Sequence, residues 1–411
     1  MKDFLSRIDK KYLYILGGIL GAIILIIIIL VIVKSCEGPS NDYQNAEAKM
    51  VSAAETYYAN KKDEAPKEFE SKEISASELA AAGYMKEMAK VLEDTSCVGK
   101  VTVYNYSGEL LFIPDLKCTD YKTKHLADVI KKDQLIQVVS NTEETSNEET
   151  DPNADSNTSA NTNNSNVVDP TSNDGTGRDY ISGLYEENGE FVFKGKNPKN
   201  YISLNGFLFR IIDIDSNGLI RALFIQEERD SSYWDDKFNS DAKKGVGINE
   251  YKNSYLHNLT VAQFKEFKPK NKKHMAYNRL CVGKRYITEL DISKEKDCEL
   301  YLEHEYIMIP LASDFARASL DEHCTTVINS ACTNYNYLTN YVMHSWTSNA
   351  VANNTYQAIV FLGGRATKEV LTEKYEYAVI ITINGYEQYL GGNGTKAEPY
   401  IVGEAVEKKE E

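Results

Sequence analysis

The sequence predicts an α+β protein in four parts: a single transmembrane helix, a small helix-plus-hairpin domain, a disordered linker and a larger α+β domain. Three observations carry that expectation. Tyr12–Val33 holds no charge and is mostly Ile, Leu or Val. Residues 141–177 are Asn, Ser, Thr and acid, with no basic residue. On both sides of that tract, apolar residues recur at helical spacing in some stretches and alternate with polar ones in others. The implied boundaries are a cytoplasmic stub at 1–11, the membrane helix at 12–33 and a first extracellular domain at 34–135. A linker at 136–178, a second domain at 179–403 and a charged tail at 404–411 follow.

Tyr12–Val33 is long enough, as a helix, to span the roughly 30 Å hydrocarbon core of a bilayer. Lys2, Arg7, Lys10 and Lys11 precede it, whereas Lys34 is soon followed by Glu37 and Asp42. The positive-inside rule then places the N-terminus in the cytoplasm and the bulk of the chain outside the cell. A cleaved signal peptide would have a shorter apolar core and small residues at its end; this segment ends in Val-Ile-Val-Lys-Ser-Cys. Cys36 invites lipidation, but Lys34 stands where a lipoprotein signal wants small uncharged residues, so a free thiol or an intermolecular bridge is as good a reading. Gly17-x-x-x-Gly21 is a weak pairing signal.

The net charge of -15 and the lack of a long basic stripe argue against a nucleic-acid partner. Six of the seven cysteines lie farther along the exported region as sequence neighbours: Cys97 with Cys118, Cys281 with Cys298, Cys324 with Cys332. Local disulfides are expected, although spacing alone leaves fifteen pairings open. No C-x-x-C occurs, and no metal or other cofactor is implied.

Residues 41–60 read as a helix with Ala46, Met50, Ala53 and Tyr57 on one face. Ser75-x-x-Glu78 has capping-box form ahead of a short helix that Gly83 ends. Lys100–Tyr106 and Glu109–Ile113 alternate as a hairpin. These pieces, with the LAAAGY run Leu79–Tyr84 and the close at Leu116-Lys117-Cys118, resemble the extracellular part of bacterial type IV pilin-like proteins. The chain departs from that pattern in lacking the prepilin cleavage motif and its glutamate. The 141–177 tract cannot bury enough surface to offset its ordering entropy. As a coil it would span roughly 30–35 Å.

In the second domain, Asn197–Asn217 and Gly218–Gln226 read as successive strands. Asn249–Phe267 reads as a helix with Tyr255, Leu259 and Ala262 on one side, and Tyr306–Leu311 as a buried strand. Ser313 is expected to cap Asp314–Leu320, and strands are expected at Gln357–Leu362, Tyr377–Ile383 and Ile401-Val402. Three pieces resemble uncharacterised exported domains of Gram-positive and wall-less bacteria. They are the opening Asn200-Tyr201 … Phe209-Arg210-Ile211-Ile212, the middle Asn253-Ser254 … Leu259, and the close Gly392-x-Gly394-Thr395 … Pro399-Tyr400. Phe209 departs from the tryptophan many of those relatives carry. The resemblance implies a compact α+β module akin to C-type-lectin-like folds, with no established activity.

Asp213-x-Asp215-x-Asn217-Gly218 has the first half of a calcium loop, but Phe224 stands where the twelfth-position glutamate belongs, so a hairpin turn is preferred. Gly391–Lys396 has the wrong glycine spacing for a phosphate loop. His323 beside Cys324 suggests base and nucleophile only weakly, because adjacent side chains diverge. No G-x-S-x-G or H-E-x-x-H occurs. The remaining candidates for ligand contact are Trp234, Asp235, Asp236, His344 and Trp346, since aromatic faces beside polar groups suit sugars and extended peptides. For each tryptophan taken singly, core packing is the favoured reading. The leading functional expectation is a surface-anchored module that binds a glycan or peptide. The alternatives are a cell-wall or glycan-modifying enzyme on the same anchor and a pilus-related assembly subunit.

Overall fold

Helix α1, Ser40–Asn60, opens the part of the chain that can be described. The computed structural model describes residues 40–68, 70–106, 108–138, 167–168, 181–238, 246–276 and 278–403. The expected membrane helix Tyr12–Val33, Cys36 and the 404–411 tail lie outside these residues. So does nearly all of the expected linker. Among the described residues no helix is long and apolar enough to cross a membrane. The chain is α+β, and its contacts form two units that divide between Thr123 and Lys124, the turn Tyr106–Glu109 apart.

In the first unit, α1 buries Ala46, Met50, Ala53 and Ala54 on one stripe. It meets a sheet in the order β1 (Ser71–Ser75), β2 (Val98–Tyr106), β3 (Glu109–Lys117). Val101 and Val103 alternate inward as their spacing requires, and both are fully buried. Ser75 Oγ accepts from the Glu78 amide at 3.1 Å while the Glu78 carboxylate accepts from the Ser75 amide at 2.8 Å, so helix α2 (Ala76–Ala81) begins on a capping box. A disulfide joins Cys97 to Cys118, either side of the β2–β3 hairpin.

The second unit begins earlier than a boundary at residue 135 would place it. Helix α3, Leu126–Gln134, buries Leu126, Ala127 and Ile130 in the second core. Its first amides donate to Glu387 O and Gly385 O, each at 2.8 Å. Ile136 is buried too and donates to Leu184 O. Within the expected linker, Gln137–Val138 and Val167–Val168 pair as a two-residue parallel ladder.

The main sheet runs through β4 (Gly183–Glu187), β5 (Glu190–Lys194), β7 (Phe207–Ile214) and β8 (Ile220–Phe224). It continues to Ile380–Ile383 and Ile307–Met308. Strand β6 (Tyr201–Leu204) also pairs with β7, and the last strand, Tyr400–Val402, joins β6 in parallel. The opening and closing sequence pieces are therefore neighbours. Tyr201 donates to Gly394 O at 2.8 Å. Gly394 has φ +77, and a Cβ there would lie 2.2 Å from Lys199 O, so this position admits only glycine without displacement. That glycine cluster is a turn against the sheet edge.

Asp213 and Asp215 separate in role at the β7–β8 turn. Asp215 Oδ1 accepts from the Asn217 and Leu219 amides at 2.9 and 2.8 Å, and Gly218 takes φ +77. Asp213 points inward to Arg221 Nη1 at 2.6 Å; Asp314 receives the same guanidinium at 3.0 and 2.7 Å. This is a hairpin turn over a buried ion triad.

Burial lifts the Asp215 carboxyl well above the ordinary value, to about 6, against the lowering pull of its amide donors. A folded-state pKa above the unfolded one favours the native state at low pH and loses that contribution as pH rises through about 6. Asp215→Asn retains the acceptor for both amides and removes the charge. It should leave stability at pH 4 nearly unchanged and raise it by up to about 3 kcal/mol at pH 7. Urea unfolding at both pH values measures this, and equal shifts at the two would refute it.

Two sequence expectations are corrected here, and one unexpected strand is added. Helix α4, Tyr255–Asn271, turns a different face inward: Leu256, His257 and Thr260 are buried, while Tyr255 is exposed and Ala262 faces solvent. The cause is its start, where the buried Asp235 carboxylate accepts the Tyr255 amide at 3.1 Å and the Tyr255 ring packs on Tyr233 with centroids 4.4 Å apart. Helix α5 spans Ala312–Arg317 and is not capped by the Ser313 hydroxyl. Its first amides are taken by side chains from elsewhere, Ala312 by Asn349 Oδ1 and Ser313 by Asp297 Oδ2, each at 2.8 Å. Strand β1, Ser71–Ser75, had no place in the sequence reading.

Candidate functional site

The residues singled out for ligand contact do not form a surface site. Trp234 and Trp346 are both 0% exposed. Their indoles are cross-tied: Trp234 Nε1 donates to Thr347 O at 3.0 Å and Trp346 Nε1 to Ser232 O at 2.9 Å. Each polar tip is thereby satisfied inside the core, and neither ring face meets solvent. Asp235 is buried as well, and besides the Tyr255 amide its carboxylate takes the Ile248 and Lys237 amides. Asp236 and His344 are exposed, but the indoles that were to accompany them are not. The contact role of Trp234, Trp346 and Asp235 is thus corrected to a packing role.

The three expected disulfides all form: Cys97–Cys118, Cys281–Cys298 and Cys324–Cys332. Cys324 is accordingly no thiolate nucleophile beside His323. The Asp94 carboxylate and the Cys97 and Cys118 sulfurs lie within 4.8 Å of one another, but both sulfurs are committed to the disulfide.

A polar cleft of about 610 Å³ opens elsewhere in the second unit, within the range of ligand-binding clefts. Lys196 and Asn197 line it together with the segments flanking the Cys324–Cys332 disulfide, which contribute Asp321, His323, Asn334 and Tyr335, and with Thr339 and Asn340. Clamping eight residues of sequence separation, that disulfide leaves the loop little freedom.

Asp321 organises the loop. Its Oδ1 accepts from His323 N at 2.9 Å and is 3.0 Å from His323 Nδ1; its Oδ2 accepts from Asn334 Nδ2 at 2.6 Å. The Asn334 amide, followed by the His323 backbone donor, holds the Asp321 carboxyl below its usual range, so it is ionised at neutral pH. With Nδ1 engaged by the carboxylate, His323 leaves Nε2 for solvent or a ligand, and the side chain is 77% exposed. Asn336, at the back of the cleft, donates to Phe315 O and Cys332 O, each at 2.7 Å. Tyr335 is held at φ +46 and is 45% exposed. A β-carbon-bearing aromatic in the left-handed region is uncommon and marks a locally determined loop. The Lys196 ammonium makes no ion pair among the described residues.

The arrangement supplies one amphipathic ring, two primary amides (Asn197, Asn340), one ammonium and an imidazole fixed by a carboxylate. Those groups suit hydroxyl-rich or extended polar ligands. Sequence reasoning passed over this cluster, although Asp321-x-His323 and Asn334-Tyr-Asn336 were visible signals of an Asx-rich loop.

Fold and cleft together define a disulfide-bonded α+β module with a polar recess. No family model matches the chain, and neither the curated proteins nor the solved structures contain a match.

Proposed function

We propose that this chain is a single-pass surface protein whose second unit binds a hydroxyl-rich ligand, a glycan in the first place, through the Lys196–Asp321–His323–Tyr335 cleft. In this reading Tyr12–Val33 is the membrane anchor with the N-terminus inside. The first unit is a pilin-like spacer, the Asn/Ser/Thr-rich tract is a tether, and the second unit is a lectin-like head. The observation that supports it most is the cleft itself, a large polar recess with one solvent-facing aromatic ring on a disulfide-clamped loop. Anchor and tether raise the effective concentration of the head near the membrane, so a weak site suffices.

A second reading, a glycan-modifying enzyme on the same anchor, is favoured by one observation. The Asp321–His323 pair has the carboxylate-imidazole geometry of a positioned base.

Intact cells displaying the full chain should retain labelled glycans from an array-selected set, and external protease should abolish retention. Tyr335→Gly removes the ring while suiting the left-handed backbone, and it should weaken binding about tenfold, equivalent to about 1.4 kcal/mol. Retention unchanged by Tyr335→Gly would refute the cleft assignment; retention unchanged by protease would refute the topology. Release of shortened or modified glycan, lost on His323→Ala, would establish the enzyme in place of the binder.

A further inference from the structure

A second recess lies between helix α4 and the main sheet, and its chemistry differs from that of the cleft. Its cavity is about 120 Å³ and partly open to solvent. Phe209 and Phe224 come from the paired strands β7 and β8, and Phe267 from the helix. Phe209 meets Phe224 at 5.1 Å and Phe267 at 6.2 Å between centroids. Ile307 and Ile381 of the adjoining strands complete the apolar wall. Phe207 packs edge-on against Phe267 at 5.2 Å yet remains 42% exposed.

Two glutamines interrupt this wall, and they are in different states. Gln263 Nε2 donates to the Tyr377 hydroxyl at 2.7 Å. Gln226 Oε1 is shielded from solvent and accepts no hydrogen bond from the described residues. A shielded amide oxygen without a donor carries the full cost of its lost hydration. An ordered water needs two to four polar partners, and this recess offers it little beyond the two glutamine amides.

We propose that this recess is a binding site for a single aromatic ring bearing one hydrogen-bond donor, a phenol, with the hydroxyl given to Gln226 Oε1. The size agrees: an apolar cavity of roughly 150 Å³ lined by Leu, Ile and Phe stays dry and takes up benzene. The wall agrees, since phenylalanine edges and faces offer the offset and T-shaped contacts that rings prefer. The shielded Gln226 oxygen favours a ring with one donor over a bare hydrocarbon. This site is independent of the glycan cleft and shares no residue with it.

The test uses the full chain in detergent, titrated calorimetrically with phenol and with toluene, its near-isostere without a donor. Toluene leaves water more readily than phenol, so an apolar hole would prefer toluene. Phenol is expected to bind at least tenfold more tightly than toluene. Gln226→Leu, which keeps the volume of the wall and removes the acceptor, is expected to reverse that order. Tighter binding of toluene to the unaltered protein, no binding of either, or an order that Gln226→Leu leaves in place would each overturn the proposal. N-acetyl-tyrosinamide distinguishes the sources of the ring: affinity equal to that of phenol assigns the pocket to a tyrosine side chain, and affinity tenfold weaker assigns it to a free phenolic molecule.

Discussion

Arg221→Met is expected to destabilise the second unit by about 3–5 kcal/mol, because it strands two carboxylates in the core. Arg221 is 2% exposed, its partners Asp213 and Asp314 no more than that, and all three sit under the β7–β8 hairpin. Burial alone would depress the Arg221 pKa, but the Asp213 and Asp314 charges reverse that and raise it further; the guanidinium carries its charge at every accessible pH. Burial pushes the Asp213 carboxyl up, the nearby guanidinium pulls it down, and the net shift is downward. One guanidinium thus serves two buried carboxylates, and removing it leaves both without their cation in low dielectric. Asp314 adds a second role, accepting the Leu311 amide at 2.9 Å ahead of helix α5. Both tryptophans lie in the second unit, so selectively excited tryptophan fluorescence during urea unfolding reads that unit alone. A loss below about 1 kcal/mol would show that the triad is solvated in solution. Adding Asp213→Asn and Asp314→Asn to Arg221→Met should recover part of the loss, since the uncompensated charge is then gone.

Trp234→Ala and Trp346→Ala are each expected to cost about 3–5 kcal/mol, the range for deleting a large aromatic from a packed core. The rings have no exposed atoms that a ligand interface would require, and Trp346 packs edge-on against Tyr375 at 5.0 Å. Trp→Phe at either position retains much of the volume and orphans one carbonyl, Thr347 O or Ser232 O, so a smaller loss of about 1–3 kcal/mol is expected. Differential scanning calorimetry of the four variants separates the two contributions. If either alanine variant stays within about 0.5 kcal/mol of the parent protein, that tryptophan is a surface residue and the packing role fails.

The amino-acid sequence by itself determined the local structure of this protein wherever neighbours along the chain supply the whole cause. The α+β class follows from alternating and helical periodicities, visible at Val101/Val103 and along Ala46, Met50 and Ala53. The Ser75–Glu78 box needs only three residues of spacing and formed as written. The turn at Asp215–Gly218 needs only an Asx oxygen and a glycine at positive φ. Disulfide partners were legible because short loops close most readily, and all three local pairs formed.

Only the tertiary structure decided what depends on residues far apart in sequence. The inward face of helix α4 was set by Asp235, twenty residues before it, and the start of helix α5 by Asn349, 37 residues beyond Ala312. Helix α3 joined the second core because its apolar positions are buried there and its first two amides found Glu387 O and Gly385 O. The tryptophans presented the same sequence signal whether buried or exposed, since an indole suits either a core or a sugar face. What placed them inside was a pair of backbone carbonyls more than a hundred residues away, at separations of 113 and 114. The cleft is assembled the same way, from one segment near Lys196 and another near Asn334. Periodicity carries no information about which two loops will face each other, because that depends on how the sheet and helices close over one core.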